Sequence, residues 1–554
     1  MKIELNLVDY AIVLIFVAFL FYVGYRCKQQ MHSANDFFLV AKKLPGWVIA
    51  ISLFSLGLTA FDVVGLSALT ADHGILSLHY FWMGTIPAIA FLVLCVIPVF
   101  AKAQIKNLPE YLQRRFDSDT RQIGAYVYIA LVSLFCALNL FLGAKALAFF
   151  CPLPQAVWIL ILTLIAAGYV VLGGLSAAIL NSVLLVSVIV FALTPLSILG
   201  IAHFGDWNKI IVELMDKSYF QIWKPLLGLN SMGVKWDYIF TGLALSMSLG
   251  IFALDYSVIQ RVQSLDDAQE AKKAAITAGW LRMFSPFIIV FPALVAVAAV
   301  PSLKLFNIKD AESGVLILPM LMGNWYTPGM FGVCTAAFIA CVLCSLQAGL
   351  MVFSTAVFSD IQNASGYAKI TRAQKLVVAG AAIFAALALL LTQFPDAANY
   401  VQAVFTFIGV PLCAVTICGM LFSGCTARGA KAGLLGGVVL AMLHYFCSIL
   451  SSISPNLIPG GLGSIIEPLK GQLSYFGFRS VFASNLSRAF FVFIGSIVIA
   501  LLFSGKSKSN QPDNKDMNLL TFHISSVFAR DNRMVLLSTI FLLVVMTLLN
   551  VGLW

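Results

Sequence analysis

The stretch Ser55-Leu56-Gly57-Leu58-Thr59-Ala60-Phe61-Asp62 interrupts an apolar run that extends over residues 46–71. Glycine weakens a helix interior, hydroxyl side chains compete for its backbone, and a carboxylate at mid-membrane costs about 2.5–3.5 kcal/mol on insertion scales. The segment therefore reads as a broken transmembrane helix whose Asp62 faces a cavity or a partner. A second run, 236–260, repeats the design: Ser246, Ser248 and Gly250 lead to Asp255. Each broken run opens a block of five hydrophobic runs, about 46–203 and 236–424. An odd number of spans per block forces the blocks to insert with opposite topology. Matching broken helices in two such blocks point to an inverted-repeat transporter with its binding site near the midplane.

Composition agrees with that reading. Of 554 residues, 61% are hydrophobic and 10% charged, against about 45–50% and 25% in soluble proteins. A water-soluble enzyme, a nucleic-acid binder and a disordered scaffold are excluded, and the lipid bilayer becomes the solvent. A bilayer core takes about 20 apolar residues per helix. Fourteen runs meet this, near 6–26, 46–71, 76–101, 122–149, 153–172, 175–203, 236–260, 274–300, 329–359, 374–393, 397–424, 429–451, 484–505 and 534–553. The even number puts both termini on one side. With that side outside, most of the 34 Lys and Arg fall in inside loops, as the positive-inside rule requires. The net charge of +10 is then an orientation signal and needs no anionic partner.

The expected organisation is a leading helix and cytoplasmic loop (1–45), a first five-helix repeat (46–203), an external loop (204–235) and a second repeat (236–424). Three further helices follow (425–554), with a cytoplasmic linker at 506–533. Glu4 and Asp9 spoil the basic start that a cleavable signal needs, so the first run reads as a retained helix. The chain is expected in the plasma membrane, multi-pass, with both termini outside. Most of the 11 cysteines sit in apolar runs as small hydrophobes. Cys341 and Cys344 form a C-x-x-C with no further ligand cluster, so no metal or redox role is expected of them.

Several strings occur in order between about residues 33 and 424. They are Ser33-Ala34-Asn35-Asp36-Phe37-Phe38-Leu39 with Leu44-Pro45-Gly46-Trp47, and Leu108-Pro109-Glu110-Tyr111-Leu112-Gln113-Arg114-Arg115-Phe116. Then come Asp255 with Gln260-Arg261, Ser345-Leu346-Gln347 with Ser354-Thr355 and Asp360-Ile361, and Tyr400-Val401-Gln402 with Pro411. Together they resemble the sodium/solute symporter family, closest to its sodium–glucose cotransporter branch. The resemblance implies an all-α polytopic protein with a leucine-transporter-type core of ten helices, one helix before it and three after. It also implies alternating access driven by sodium.

Sodium is a hard cation that takes about five or six oxygens, which an unwound helix and facing hydroxyls can supply. The resemblance places its ligands at the carbonyls of Ser55, Leu58 and Cys341, the Ser345 hydroxyl and the side chain at Cys344. The thiol there departs from the family's serine and is a soft, poor sodium ligand. Ser182 stands where the family has an acidic residue in its fifth core helix. These departures suggest a weak or altered sodium site, or proton coupling instead.

For the solute, the resemblance points to Asp62, Gln402, Ser248 and Arg282. Asp62 is expected to bind a hydroxyl or amine; a proton-coupling or purely structural role is the alternative. Arg282 either meets the solute or snorkels to the inner face. Phe81 stands where an acidic residue is expected, and Ile251 where an aromatic gates sugar from inside. A hexose would lose hydroxyl partners there, so hexose transport does not follow. Asp255 and Arg261 are expected at the cytoplasmic gate, as a salt bridge or cap. His79, Tyr80, Phe81 and Trp82 read as an interfacial aromatic belt, with pocket lining open to Phe81. Lys145 is expected to snorkel outward.

The function expected is sodium-coupled symport importing a small polar organic solute, a sugar, polyol or relative. The alternatives are a proton-coupled symporter, or a solute-gated sensor or uniporter that has lost tight coupling. No ATP-binding loop or extramembrane catalytic cluster occurs, so no enzyme and no obligate protein partner is expected.

Overall fold

The computed structural model describes residues 5–40, 44–205, 235–299, 314–327, 329–362, 370–394, 397–452, 485–505 and 532–553, with scattered positions within 220–234 and 518–528. Most of the expected external loop 204–235 and of the linker 506–533 lies outside the described residues. What is described is helical, with no strand.

Among the described residues, twelve helices are long and apolar enough to cross a membrane, against the fourteen expected. Two of the twelve are much longer than one crossing. Phe61–Ala103 covers 43 residues and Gln155–Phe204 covers 50. The second is interrupted at Gly174, whose φ of 53° and ψ of −145° are not helical. A Cβ on Gly174 would lie 2.4 Å from the Phe37 carbonyl oxygen, so the short helix Ala34–Phe38 is seated against this bend. Gly174→Ala is therefore expected to lower stability by roughly 1–3 kcal/mol for the backbone conformation alone, plus the shift needed to clear Phe37. A lower unfolding temperature in detergent checks this.

Met330–Ile361 is the central post. Every residue of its most apolar window is buried, whereas the first and last spans, Leu7–Lys28 and Arg533–Gly552, are mostly exposed. Ser118–Phe150, Gln155–Phe204 and Leu7–Lys28 all pack around it. Small residues permit close approach, as expected where packing rather than water drives helix association. A Cβ on Gly143 would run into Val342 and lie 3.6 Å from Ala60, so three elements meet at that point. Outside this core, Leu164, Phe191, Leu435 and Phe541 are exposed and form the lipid-facing surface.

Both anticipated breaks are present. Gly46–Ser55 stops and the helix resumes at Phe61–Gly65, running on as Leu66–His73. Trp236–Ala253, wound partly in wide π turns, stops before Tyr256–Val262. π turns free or misalign backbone groups and favour functional positions.

Candidate functional site

At the first break, backbone donors that a helix would satisfy are taken over by side chains. Asp62 Oδ2 accepts from the Thr59 amide (3.1 Å) and the Thr59 hydroxyl (2.7 Å). The Phe61 amide donates to Asn139 Oδ1 on Ser118–Phe150 at 2.9 Å. Irregular backbone at membrane depth is tolerated where it is buried in protein and satisfied in this way.

The other Asp62 oxygen, Oδ1, accepts from Arg282 Nη2 at 2.8 Å, and both side chains are buried. Arg282 also donates to the Gly57 carbonyl, inside the break. Its guanidinium lies 4.8 Å from the Phe81 ring centroid and 5.6 Å from that of Phe252. Its Nε has no acceptor among the described residues. Of the two roles expected for Arg282, snorkelling is overturned. It stands fourteen residues into Ala268–Ala299, and its guanidinium is buried against Asp62, Gly57 and Phe81 instead of reaching toward the helix end.

At the second break, Asp255 caps Tyr256–Val262. It accepts from the amides of Ser257 (2.8 Å) and Val258 (3.2 Å) and from the Ser257 hydroxyl. The Tyr128 hydroxyl donates to the Leu254 carbonyl at 2.6 Å, satisfying an acceptor that the break exposes. The expected salt bridge between Asp255 and Arg261 is absent among the described residues; the cap alternative is what the structure shows. Arg261 turns instead to Ser52, with Nε 2.7 Å from its hydroxyl oxygen.

A cavity of about 210 Å³ lies between the two breaks. Asp62 and Arg282 line it from one side, Ser248 and Ile251 from the second broken helix, and Gln402 from Asn399–Leu421. Gln402 Oε1 accepts from Asn485 Nδ2 at 3.2 Å, and Tyr80 lines the same cavity.

Phe81 does not line this cavity; Tyr80 does. The helix Leu78–Phe81 ends in a wide turn, with the Gly84 amide donating to the His79 carbonyl at 2.7 Å. That turn presents Tyr80 to the cavity and seats Phe81 under Arg282. Nor do His79 and Trp82 form an interfacial belt. His79 Nε2 lies 3.0 Å from the Ile222 carbonyl and the Trp82 indole donates to the Met283 carbonyl at 3.3 Å, both rings being buried.

Ser345 lines the same cavity as Thr59 and Asp62. Its hydroxyl donates to the Val342 carbonyl at 2.9 Å, which leaves its oxygen able to accept or to ligate a cation. Cys341 and Cys344 are buried on the same helix, within electrostatic reach of Asp62. Ser55 and Leu58 flank the start of the break, the Leu58 amide donating to the Ser55 carbonyl at 3.1 Å. Thr59 and Asp62 at the break and Ser345 thus border one seam, with the Cys344 thiol next to Ser345 in the chain. Cys344→Ser, which restores a hard oxygen, is expected to tighten apparent sodium affinity several-fold. Sodium titration of the purified variant checks this; equal or weaker affinity would count against that seam.

At the end that the charge pattern assigns to the cytoplasm, Arg121 Nη2 meets Asp360 Oδ1 at 2.9 Å, and the Tyr256 hydroxyl donates to Asp360 Oδ2 at 3.1 Å. This contact joins the start of Ser118–Phe150, the inner half of the second broken helix and the end of Met330–Ile361. The strings quoted above include Asp360 but gave no signal for its partners. Thr59, Tyr80, Tyr128 and Asn139 were also missed as site residues. The one available clue was a polar group set in the middle of an apolar run.

Residues 37–437 match the sodium:solute symporter family. The chain is similar to a sodium/glucose cotransporter of Vibrio parahaemolyticus, at 26% identity over 80% of this chain and 86% of that one. It is also similar to the human sodium/myo-inositol cotransporter 2, at 22% identity over 92% and 78%. Among solved structures it resembles a substrate-bound, outward-open Na+-coupled sialic acid symporter. The TM-score is 0.72, with 18% identity over 90% of this chain and 98% of that one.

Proposed function

The chain belongs to the sodium:solute symporter family, and from that membership we propose that it couples sodium entry to import of a small, net-neutral, polyhydroxylated solute held between its two broken helices. The observation that carries the solute class is the buried Asp62–Arg282 pair on the cavity wall. Its two charges cancel, so a neutral guest enters without stranding a charge, whereas a charged guest would add one to a water-poor site. The pair still offers directed polar groups: carboxylate lone pairs and the unshared Arg282 Nε–H. Gln402 both donates and accepts, and Ser248 adds a hydroxyl oxygen. Much of the remaining wall is apolar, including Leu66, Met247, Ile251 and Phe405, which suits the C–H faces of a polyol or sugar ring. Ile251 gives no aromatic or hydroxyl partner to a sugar ring, which favours a guest with fewer or differently placed hydroxyls than a hexose.

Sodium is the driving ion in this reading, as the family description states; nothing in it speaks for protons. Ion and solute share the break of the first helix, because Thr59 and Asp62 on one side and Ser345 on the other border one space. Filling the seam with sodium fixes the unwound residues that carry Asp62, which orders the solute site before the solute arrives. The chain sits in the plasma membrane with both termini outside, by the distribution of its basic residues.

A thermal-shift screen of sugars, polyols, amino acids and organic acids, with and without sodium, tests this. A ligand selective for the folded state raises apparent stability by mass action. Stabilisation by neutral polyols or sugars, larger in sodium, is expected. Stabilisation by organic acids or amines alone would overturn the solute class, and equal shifts in potassium would overturn the coupling.

A further inference from the structure

Arg261 is a buried cation for which the solute site has no use. Its side chain is buried, and one Nη donates to the Ser257 carbonyl at 3.1 Å while the other has no acceptor. No carboxylate forms an ion pair with it among the described residues. Its Nε bond to Ser52 opens a chain of polar contacts. Ser52 and Ser182 hydroxyl oxygens lie 3.2 Å apart, Gln347 Nε2 donates to Ser182 at 2.9 Å, and the Tyr169 hydroxyl donates to Gln347 Oε1 at 3.0 Å. All four residues are fully buried.

Placement gives this chain its meaning. Ser52 lies three residues before Ser55 on Gly46–Ser55, and Gln347 lies three after Cys344 on Met330–Ile361. The guanidinium, bonded to Ser52 and within electrostatic reach of Cys344, therefore lies between the two elements that carry the expected sodium ligands. It is displaced by three residues, about 4.5 Å along the helix axes, toward the end where Arg121, Tyr256 and Asp360 meet. Arg261 itself rides on Tyr256–Val262, the inner half of the second broken helix, which is held at that end through Tyr256.

We propose that Arg261 is a tethered cation that closes the exit beneath the sodium position. Sodium held above it is repelled by the guanidinium below. It leaves toward the Asp360 end only when Tyr256–Val262 swings away and withdraws that charge. This makes the movement of one short helix both the opening of the exit and the removal of its electrostatic barrier. It also weakens sodium binding in the closed state, because two like charges one helical turn apart in a partly screened interior shift an ion's affinity by about ten- to a hundred-fold. The proposal rests on the placement of sodium in this seam.

Sodium binding to the purified full-length protein, measured with radioactive sodium at equilibrium, tests it. Arg261→Gln is expected to bind sodium about tenfold or more tighter than the parent, and Arg261→Lys, which keeps the charge, to stay within about threefold. Unchanged or weaker binding in Arg261→Gln, or equal gains in the Lys and Gln variants, would overturn it. Should Arg261→Gln fail to fold, Ser182→Asp supplies a carboxylate across Ser52 from the guanidinium. That variant is expected to tighten sodium as well, and no gain there would overturn the proposal. Ser345→Ala in the same assay separates the two layers. A lost sodium response there with no gain in Arg261→Gln removes only the tethered cation, while an intact response removes the sodium placement itself.

Discussion

Asp62→Ala is expected to abolish solute-dependent stabilisation and transport, and to lower the stability of the protein itself. The carboxylate has two jobs that one substitution removes together. It takes the amide and hydroxyl of Thr59, which hold the first break in shape, and it balances Arg282, which is buried beside it. Breaking a buried ion pair by deleting one partner costs about 3–5 kcal/mol, because the remaining charge stays out of water without compensation. Unfolding in detergent should therefore begin at a clearly lower temperature. Replacing both members, Asp62→Val with Arg282→Met, removes both charges with little change in summed volume and is expected to recover most of that stability while solute binding stays lost. The double variant separates the two jobs: recovered stability with recovered binding would remove the pair from the solute site. An Asp62→Ala protein as stable as the parent would show that the pair carries little of the fold.

Ser345→Ala is expected to raise the sodium concentration needed for half-maximal stabilisation by about tenfold or more, with little change in the sodium-free unfolding temperature. The reasoning is local. The hydroxyl donates only within its own helix, to the Val342 carbonyl, so its loss leaves no distant partner unsatisfied. An oxygen ligand to a hard cation, in contrast, has no substitute at that position, because the neighbouring residue is Cys344 with a soft thiol. Removing an interaction to a charged group typically costs about 1.5–3 kcal/mol, which is a factor of ten or more in affinity. Sodium titration followed by thermal shift checks it; an unchanged midpoint would place the ion elsewhere.

The breaks were legible because their causes are local. Gly57 and Thr59 weaken the helix where they stand, and Asp62 cannot face lipid, so one window of sequence contains the argument. The same holds for Gly250 and Asp255. The basic loops and apolar runs carried the membrane reading for the same reason. Partnerships across the fold were not legible. Asp62 and Arg282 are 220 residues apart, and one sequence holds no signal for which buried charges meet. For Arg282 the sequence admits both the solute and the aqueous face, and only its buried pairing with Asp62 decides. The exchange of Phe81 for Tyr80 has a different origin. A regular helix was assumed through 78–85, and the wide turn closed by Gly84 onto His79 rotates the face by about one residue. The family strings point to Gln402 and the second break to Ser248, whereas Tyr128 and Asn139 act by completing backbone at a break, a role that no motif marks. Sequence proximity suggests that Arg261 pairs with Asp255. The helix that starts at Asp255 instead carries it to Ser52.

The most direct measurement is uptake of the best stabilising solute into sealed proteoliposomes under an imposed sodium gradient. Accumulation of the solute above its outside concentration, collapsing when the gradient is dissipated and lost in Ser345→Ala, is the predicted result. Equilibration without accumulation, or accumulation driven equally well by a pH gradient in sodium-free buffer, would contradict the claim that ion and solute meet at the broken helices.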